Sequence, residues 1–420
     1  MTTKATLQIR LFVFLMLALF IGSASAQLDD PNALRTIDDY LRCAMLNNAE
    51  LKASFEEYKA AQEEIPQAKA LPDPEVQYGY FARQSDMQMD QMLGVMQMFP
   101  WFGKIEAKTD LADARAQAAR QRYEAVRLGL IRQVKESFYE YSYLAVATDI
   151  AKENLELLKH FEEVARTKYM TSAATHPDII RAQVELATIE YVLTSLEKLQ
   201  EPTTAKLNSI LNRTSDAPLP WPSKEELVQI HIDRDLVVNM LLQSNPELGE
   251  LAWEIDAAKS GVALAKKNFY PDIGVGVEWT EFEKSGGMSG RDSVALMFRV
   301  NLPLWRDSYK AGEEQARAMV RQTEHQKTDI TNKKIAEAVR LLYDIGDSGR
   351  QIDLYGLGLI TKTEELVQAS ESAYKAGTVD FLALIDAQRI LLQYRLDYER
   401  AATNYRQKLA ELEMLIGQEL

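Results

Sequence analysis

The 420-residue chain is poor in cysteine and histidine, and this scarcity excludes several classes of protein. Its one cysteine, Cys43, cannot form an intramolecular disulfide, so stability has to come from packing or assembly. The four histidines, His160, His176, His231 and His325, lack the spacing of metal ligands. No nucleophile elbow, phosphate loop or zinc-helix motif occurs in the sequence. We therefore predict no catalytic residues, no cofactor and no resident metal.

Long apolar runs are also scarce. The one apolar block, Leu11 to Ile21, follows Lys4 and Arg10 and precedes small residues that end at Ala26. This order is typical of a secretory signal peptide, and the block is shorter than the roughly 20 residues that span a bilayer. We predict export with cleavage after Ala26. We predict no lipid anchor, because Cys43 lies far beyond the cleavage site.

Positive charge is in deficit. The formal net charge is −14, and cleavage, which removes two basic residues and no acidic one, makes it −16. A chain this acidic is a poor partner for nucleic acid or for anionic membrane surfaces. Since no further apolar run has the length of a spanning helix, any membrane crossing by the mature chain cannot be helical.

The chain contains an internal repeat with offsets of about 200 residues. Four motifs recur: Asn47–Leu51 as Ser244–Leu248, Leu71–Pro74 as Tyr270–Ile273, Phe99–Trp101 as Leu302–Trp305, and Ile180–Gln183 as Ile385–Gln388. We predict a signal peptide over residues 1–26, a first repeat over 27–200, a connector over 201–234 and a second repeat over 235–420.

Proline is absent between Pro100 and Pro177 and again after Pro303. These gaps hold two segments with a helical period, Lys104 to Tyr169 and about Ser308 to Tyr374. A helix of about 65 residues exceeds any ordinary globular element, so each must lie in a coiled coil or helical barrel. Glycines weaken helices, and the second segment has four, which predict a distorted or tightly packed patch: Gly346, Gly349, Gly356 and Gly358.

Each long segment ends in a tight break, after which the helical pattern resumes. Gly377 suits the left-handed conformation of such a turn, and Pro177 suits a helix start. We therefore predict one long antiparallel helical hairpin in each repeat.

Before each long segment the apolar period changes to two. The alternation is clear in Ile273–Trp279 and Val294–Leu302 and weaker in Val76–Ala82 and Met92–Phe99. Segments of about ten alternating residues bounded by aromatics are typical of membrane β-barrel strands. Four strands cannot close a barrel, and a sheet cannot leave its edges in lipid, so several chains must contribute to one barrel.

The duplicated order of helix, two strands, long helix, turn and helix resembles that of TolC-like outer-membrane efflux proteins. Gln97–Lys104 resembles the strand-to-helix junction of members that partner heavy-metal exporters of the resistance-nodulation-division type, and Leu382–Gln388 resembles the motif after the turn. The resemblance implies an α+β membrane protein. It would be a homotrimer with four β-strands per chain in a twelve-stranded outer-membrane barrel, continued by a long α-helical periplasmic barrel and ringed by an equatorial connector.

The resemblance also implies a function and a location. The chain would lie in the outer membrane of a Gram-negative-type cell, in contact with lipid and with a large periplasmic portion. It would dock to a periplasmic adaptor (membrane fusion) protein and an inner-membrane efflux pump, and would pass cargo, metal cations in this subclass, without catalysis.

Three groups of candidate residues follow from the resemblance. The pore-entrance candidates are Asp178, Asp386 and Arg181, the last at a position where the family has a carboxylate. The adaptor-docking candidates at the tips are Ser172, Ala173, Gly377 and Thr378. The barrel-to-tunnel junction is Phe99, Pro100, Trp101, Pro303 and Trp305. Exposed helix acids paired with a neighbouring arginine are the alternative for the first group, and plain turn chemistry is the alternative for the second.

Five of the 14 methionines lie within a dozen positions: Met87, Met89, Met92, Met96 and Met98. Thioethers suit monovalent copper or silver, so a metal site is one interpretation. In the repeat, however, the run covers a turn, Gln84–Asp90, and a membrane strand, Met92–Phe99. We predict that Met92, Met96 and Met98 fill space in the lumen, opposite the apolar face, with the three chains too far apart for chelation.

Two other functions remain open. A duct for drugs or for type I secreted polypeptides would share the whole architecture. A soluble periplasmic coiled-coil adaptor would share the long helices, but it has no reason to carry four alternating strands at matched places in two repeats.

Overall fold

The structure is a computed structural model that describes residues 34–81, 89–172, 174–282 and 292–420. The predicted signal peptide, Ala173, Met87 and most of the predicted turn lie outside these residues. The helices of the first half are α1 (Ile37–Asn47), α2 (Ala49–Lys69), α3 (Lys104–Met170) and α4 (His176–Ile210). Those of the second half are α5 (Arg234–Ser244), α6 (Pro246–Lys267), α7 (Arg306–Leu354), a π-helix (Tyr355–Leu359), α8 (Ile360–Ala376) and α9 (Phe381–Ile416). The strands are β1 (Glu75–Tyr80), β2 (Met89–Phe99), β3 (Ile273–Phe282) and β4 (Ser293–Val300).

The chain forms two compact units, and each takes residues from both halves of the sequence. The helical unit comprises 34–52, Ala125–Asn245 and Lys334–Leu420. The sheet unit comprises Ala53–Glu124 and Pro246–Lys333 and holds the four strands with the helical segments that flank them. The units therefore divide the chain differently from the sequence repeat.

The recurring asparagine motif has the same structural role in both halves. Asn48 follows α1, and its Nδ2 donates to the carbonyl of Ile210, the last residue of α4, at 2.9 Å. Asn245 follows α5, and its Nδ2 donates to the carbonyl of Leu415 near the end of α9 at 2.8 Å. Both amides are buried. Each asparagine thus satisfies a carbonyl at the C-terminal end of α4 or α9 that has no donor within that helix.

The prediction of two long helices is confirmed for the first and modified for the second. Helix α3 is continuous over 67 residues. In the second half the π-helix separates α7 from α8, and it contains Gly356 and Gly358. A Cβ at Gly356 would lie 2.9 Å from the Tyr398 ring, so glycine allows the close approach. The predicted distortion is thus confirmed at these two glycines, whereas Gly346 and Gly349 lie in regular α7. No helix within the described ranges is both long and apolar enough to cross a membrane.

The four strands form one antiparallel sheet in the order β1-β2-β3-β4. One row across the sheet joins Val76, Val95, Val277 and Leu296, all of them exposed. The next row joins Glu75, Met96, Gly276 and Met297 on the opposite face. We call these the apolar face and the polar face of the sheet.

Strand β2 is longer than the sequence pattern suggests, because it begins at Met89 and not at Met92. Met92, Met96 and Met98 lie on the polar face. Gln97 lies in an apolar row, and its amide donates to the Pro72 carbonyl at 2.7 Å, which satisfies its polar group there.

Between the halves, α4 continues through Pro202 to Ile210, and the non-helical stretch that follows covers 211–233. Asn208, fully buried, donates to the Ala217 carbonyl at 2.8 Å and fixes the turn after the helix. The Tyr141 hydroxyl of α3 donates to the Leu219 carbonyl at 2.9 Å. These contacts hold the connector against helices of the helical unit.

Candidate functional site

The two helical hairpins meet in one hydrophobic core beneath their turns. This core contains Phe161 of α3, Ile189 of α4, Tyr374 of α8 and Phe381 of α9, among others. The rings of Tyr374 and Phe381 lie 5.2 Å apart. Lys168, near the end of α3, places its ammonium 4.5 Å from the Tyr374 ring centre and donates to the Tyr374 carbonyl. The sequence-predicted tips therefore belong to one packed region.

The first tip is closed by an acid that the sequence assigned to the pore entrance. Ser172 has a positive φ of 60°, which is uncommon for a residue other than glycine. The amide and hydroxyl of Thr175 both donate to Oδ2 of Asp178 at 2.9 Å. Asp178 is buried, and it occupies the third position of α4, where a capping-box acid stabilises the helix start. One oxygen of this carboxylate is thus engaged in the turn.

The second tip is built on glycine. Gly377 has φ of 78°, its amide donates to the Tyr374 carbonyl at 3.0 Å, and the Thr378 amide donates to the Ala373 carbonyl at 3.0 Å. This pair of bonds is the Schellman motif that ends many helices. Asp380 then caps α9 by accepting from the Ala383 amide at 3.0 Å. Gly377 and Thr378 therefore have a structural role in the turn.

Both predicted entrance acids lie near an arginine of the same chain. Asp178 lies 3.9 Å from Arg181. Asp386, whose side chain is about half exposed, lies 3.5 Å from Arg389. Arg389 also donates from Nε to Glu185 at 3.1 Å, in a two-pronged contact between α9 and α4. Asp386 is therefore the more accessible of the two acids.

Sequence reasoning missed Glu185, which is buried in the Arg389 contact. It follows Asp178 by seven residues, and such a spacing places both acids on one helix face. Nearby, burial together with the negative charge of Asp178 raises the pKa of Tyr374 to about 12. Like an ordinary tyrosine, Tyr374 is neutral at physiological pH, and its ring acts as a packing residue.

The first strand-to-helix junction is fixed by an acid from the other half of the chain. After β2 ends, the amide of Trp101 donates to Asp272 Oδ1 at 2.9 Å. The Lys104 ammonium donates to both oxygens of the same carboxylate, at 2.9 and 3.0 Å. The Trp101 ring stacks on Tyr270 at 5.3 Å. Gly103, with φ of 77°, completes the turn into α3.

Asp272 is the second functional candidate that sequence reasoning missed as a site residue, although its motif was recognised as part of the repeat. Burial by itself raises the pKa of its carboxyl. The hydrogen bonds from Lys104 and Trp101 outweigh this effect, so the pKa lies below its ordinary value of 3.8. The carboxylate is therefore a stable anion that holds the start of α3.

The second junction is open. Between β4 and α7, Leu304 donates its amide to the Leu302 carbonyl at 2.9 Å, and Arg306 donates to the Leu304 carbonyl at 3.0 Å. Trp305 is 80% exposed. Phe99, Pro100 and Trp101 thus lie in a junction with many contacts, whereas Trp305, and the half-buried Pro303 before it, lie in a sparse one.

The described residues also include side chains of the types that could hold a metal ion. Within the described ranges, no three or more His, Cys, Asp or Glu side chains converge as a metal-binding group. His160 lies beside Glu371 at 3.3 Å, and the His176 ring packs 5.8 Å from Tyr169.

Known proteins resemble the chain along most of its length. It is 21% identical over 401 residues to the cobalt-zinc-cadmium resistance protein CzcC of Cupriavidus metallidurans, which covers 91% of this chain and 90% of CzcC. It is also 21% identical over 314 residues to the cation efflux system protein CusC of Escherichia coli K12, which covers 70% of this chain and 65% of CusC.

The fold matches that of solved outer-membrane channels. A crystal structure of CusC matches with a TM-score of 0.78 at 14% identity, over 91% of this chain and 92% of that one. This confirms the predicted α+β, TolC-like fold class. The family model for outer membrane efflux proteins matches residues 41–213 and 237–418. Because these residues make up most of the sequence, the chain belongs to the outer membrane efflux protein family.

Proposed function

We propose that this chain is one subunit of a homotrimeric exit duct in the outer membrane. The duct conducts metal cations passively from a periplasmic adaptor and an inner-membrane pump to the outside. Family membership supports the duct, and the names of CzcC and CusC support the cargo class. Energy is spent at the pump, so the duct needs no catalytic centre.

The four-stranded sheet is the observation that carries the proposal. On the edge strand β4, Val294, Leu296 and Phe298 are each more than 70% exposed on the apolar face. The other edge strand is β1. Membrane barrels of this kind have eight or more strands, and an apolar sheet with two open edges needs partners. Three copies supply twelve strands, with the apolar face toward lipid and the polar face toward the lumen.

The helical tips supply the periplasmic end of the duct in this proposal. Ser172, Ala173, Gly377 and Thr378 form the adaptor-docking surface, because small turn residues allow another hairpin to approach closely. Asp178, Arg181 and Asp386 surround the entrance. Of the two acids, Asp386 is the more exposed, so it contributes most of the attraction for cations.

Gene deletion and complementation test the cargo. We expect the deletion strain to become sensitive to at least one of copper, silver, zinc, cobalt and cadmium, and the wild-type gene to restore tolerance. A drug panel measured in parallel is the control. Unchanged metal tolerance together with new drug sensitivity would contradict the metal assignment and favour a duct for drugs.

Adjacent residues on β4 test the orientation of the sheet. We expect Leu296→Arg to prevent stable membrane assembly, since an arginine on the lipid face costs about 2–4 kcal/mol near the bilayer midplane. Ala295→Arg is the matched control, because Ala295 pairs with Glu278 on the polar face. Heat-resistant trimers on gels and outer-membrane fractionation measure the outcome. Equal assembly of both variants would contradict the proposed orientation.

A further inference from the structure

On the polar face of the sheet, two methionines of β2 lie against glycines of β3. Met98 pairs with Gly274, and Met96 pairs with Gly276. A Cβ at Gly274 would lie 2.7 Å from Sδ of Met98 and 3.1 Å from Sδ of Met96. Both thioether sulfurs therefore lie over the same glycine, and their separation cannot exceed the sum of these two distances.

A third methionine, Met297 of β4, lies in the same cross-strand row as Met96. Both pair with Gly276, from opposite sides. Met96 and Met297 line one small cavity of about 40 Å³. That volume has room for a water-sized group. Met96 thus links the other two methionines: its sulfur shares Gly274 with that of Met98, and it shares this cavity with Met297.

The charges around this cavity favour a monovalent cation. Its lining includes Glu75, Glu278 and Arg299. Arg299 forms an ion pair with Glu75 at 3.0 Å. Two carboxylates and one guanidinium leave one negative charge, which one monovalent cation balances.

We propose that Met96 and Met98, with Met297 as a third ligand, bind one soft monovalent cation, Cu(I) or Ag(I), on the polar face of the sheet. Thioethers select such ions over hard or borderline ones. Protein metal–sulfur bonds are about 2.3 Å long, so two sulfurs that share an ion lie roughly 4–5 Å apart. The flexible methionine side chain reaches this separation by small rotations.

The site lies within one chain, so it does not depend on sulfurs of different subunits converging across a wide lumen. That wide spacing was the reason for the space-filling interpretation of the sequence. Only the role of the site in transport rests on the proposed function. Thioethers carry no titratable proton, so affinity stays nearly constant between about pH 6 and pH 8, unlike affinity at histidine or thiolate sites.

Silver binding to the purified full chain in detergent tests the proposal. Cys43→Ala is introduced into every sample, because a thiol also binds Ag(I). We expect equilibrium dialysis with metal analysis to show one tightly bound Ag(I) per chain. The double variant Met96→Leu/Met98→Leu should lose it, with an affinity at least about tenfold lower. The matched control is Met319→Leu, a 56% exposed methionine on α7.

A second variant keeps every sulfur and changes only their arrangement. Gly274→Ala places a methyl group where the two sulfurs converge and pushes them apart. We expect it to lower silver affinity while thermal unfolding and trimer content stay close to those of the parent. Excess Zn²⁺ should not displace the silver. Unchanged stoichiometry and affinity in the double leucine variant, or no tight site in the parent, would overturn the proposal in favour of plain packing.

The two proposals can fail separately. If the parent binds no silver tightly but the gene restores metal tolerance, the methionine site is wrong and the duct function stands. If the parent binds silver through these methionines but the gene restores no tolerance, the site stands and the metal cargo is wrong.

Discussion

The junction after β2 differs from the junction after β4 in how its tryptophan is held. Trp101 is half-buried, stacks on Tyr270 and donates its amide to Asp272. Trp305 is 80% exposed. The two tryptophans come from the same repeated motif, so the repeat has preserved the order of elements but not the contacts that fix them. The first junction is a packed connection, and the second leaves its ring exposed.

The two helical tips also differ, in the residue that adopts the left-handed conformation. The first tip uses Ser172 at a positive φ and the buried acid Asp178. The second uses Gly377 and a Schellman motif. A glycine meets the need for a left-handed residue directly, whereas a serine pays a conformational cost that the capping hydrogen bonds offset. The two turns thus reach the left-handed conformation with different residues, whereas a side-chain carboxylate caps the following helix in both.

The largest expected difference separates Trp101→Ala from Trp305→Ala. Loss of the half-buried Trp101 ring should destabilise the protein by about 3 kcal/mol, at the lower end for large-to-small changes at packed aromatic sites. Loss of the exposed Trp305 ring should change stability in detergent by less than about 0.5 kcal/mol. Thermal unfolding followed by circular dichroism measures both. Equal shifts in the two variants would show that the junctions do not differ in packing.

Asp272 should make the first junction sensitive to acid. Its pKa is lowered in the folded chain, so its contribution is fully present above the unfolded pKa near 4 and is lost as the pH falls through the folded pKa. Asp272→Asn should cost about 2 kcal/mol at pH 7 and flatten the loss of stability below pH 4. Asp73→Asn, at the matching but exposed position in the first half, is the control. Parallel pH curves for the parent and Asp272→Asn would contradict this role.

Local pattern predicted the elements, because each depends on neighbours in the sequence. The absence of proline between Pro100 and Pro177 set the limits of α3, and period-two alternation located the strands. Contacts between distant residues could not be predicted. Lys104 and Asp272 are 168 positions apart, and no local signal pairs them.

The ends and distortions of helices were less predictable, because the positions of proline and glycine alone do not determine them. Pro202 lies inside α4, which continues to Ile210, although proline usually breaks a helix interior. The four glycines of the second long segment indicated a distortion but not which of them it would include; the π-helix contains Gly356, against which the Tyr398 ring packs. Glycine and proline positions therefore indicated a distortion and a possible helix end, but not where the helices of the folded chain are distorted or end.

The two turns should respond in opposite directions to the same kind of change. Gly377→Ala should destabilise the chain by about 1 kcal/mol, because the left-handed conformation is unfavourable for alanine even where the space around the side chain is open. Ser172→Gly should be neutral or slightly stabilising, because glycine adopts the positive φ at no steric cost. Unfolding midpoints of both variants test this. Destabilisation by Ser172→Gly would show that the serine side chain stabilises the first tip.

The smallest expected difference in stability separates Asp178→Ala from Asp386→Ala. We expect the first variant to affect mainly stability and the second to affect mainly cation conduction. Asp178 accepts two hydrogen bonds in the capping box, so its loss should cost about 0.5–1 kcal/mol. Asp386 is exposed and lies 3.5 Å from Arg389, so its loss should leave stability within about 0.3 kcal/mol. In planar bilayers Asp386→Ala should instead have the larger effect, because an exposed charge at a constriction attracts cations. Asp386→Ala should lower cation preference, measured as the reversal potential in a salt gradient, more than Asp178→Ala does. Unchanged selectivity in Asp386→Ala, with normal assembly, would mean that this acid only pairs with its arginine.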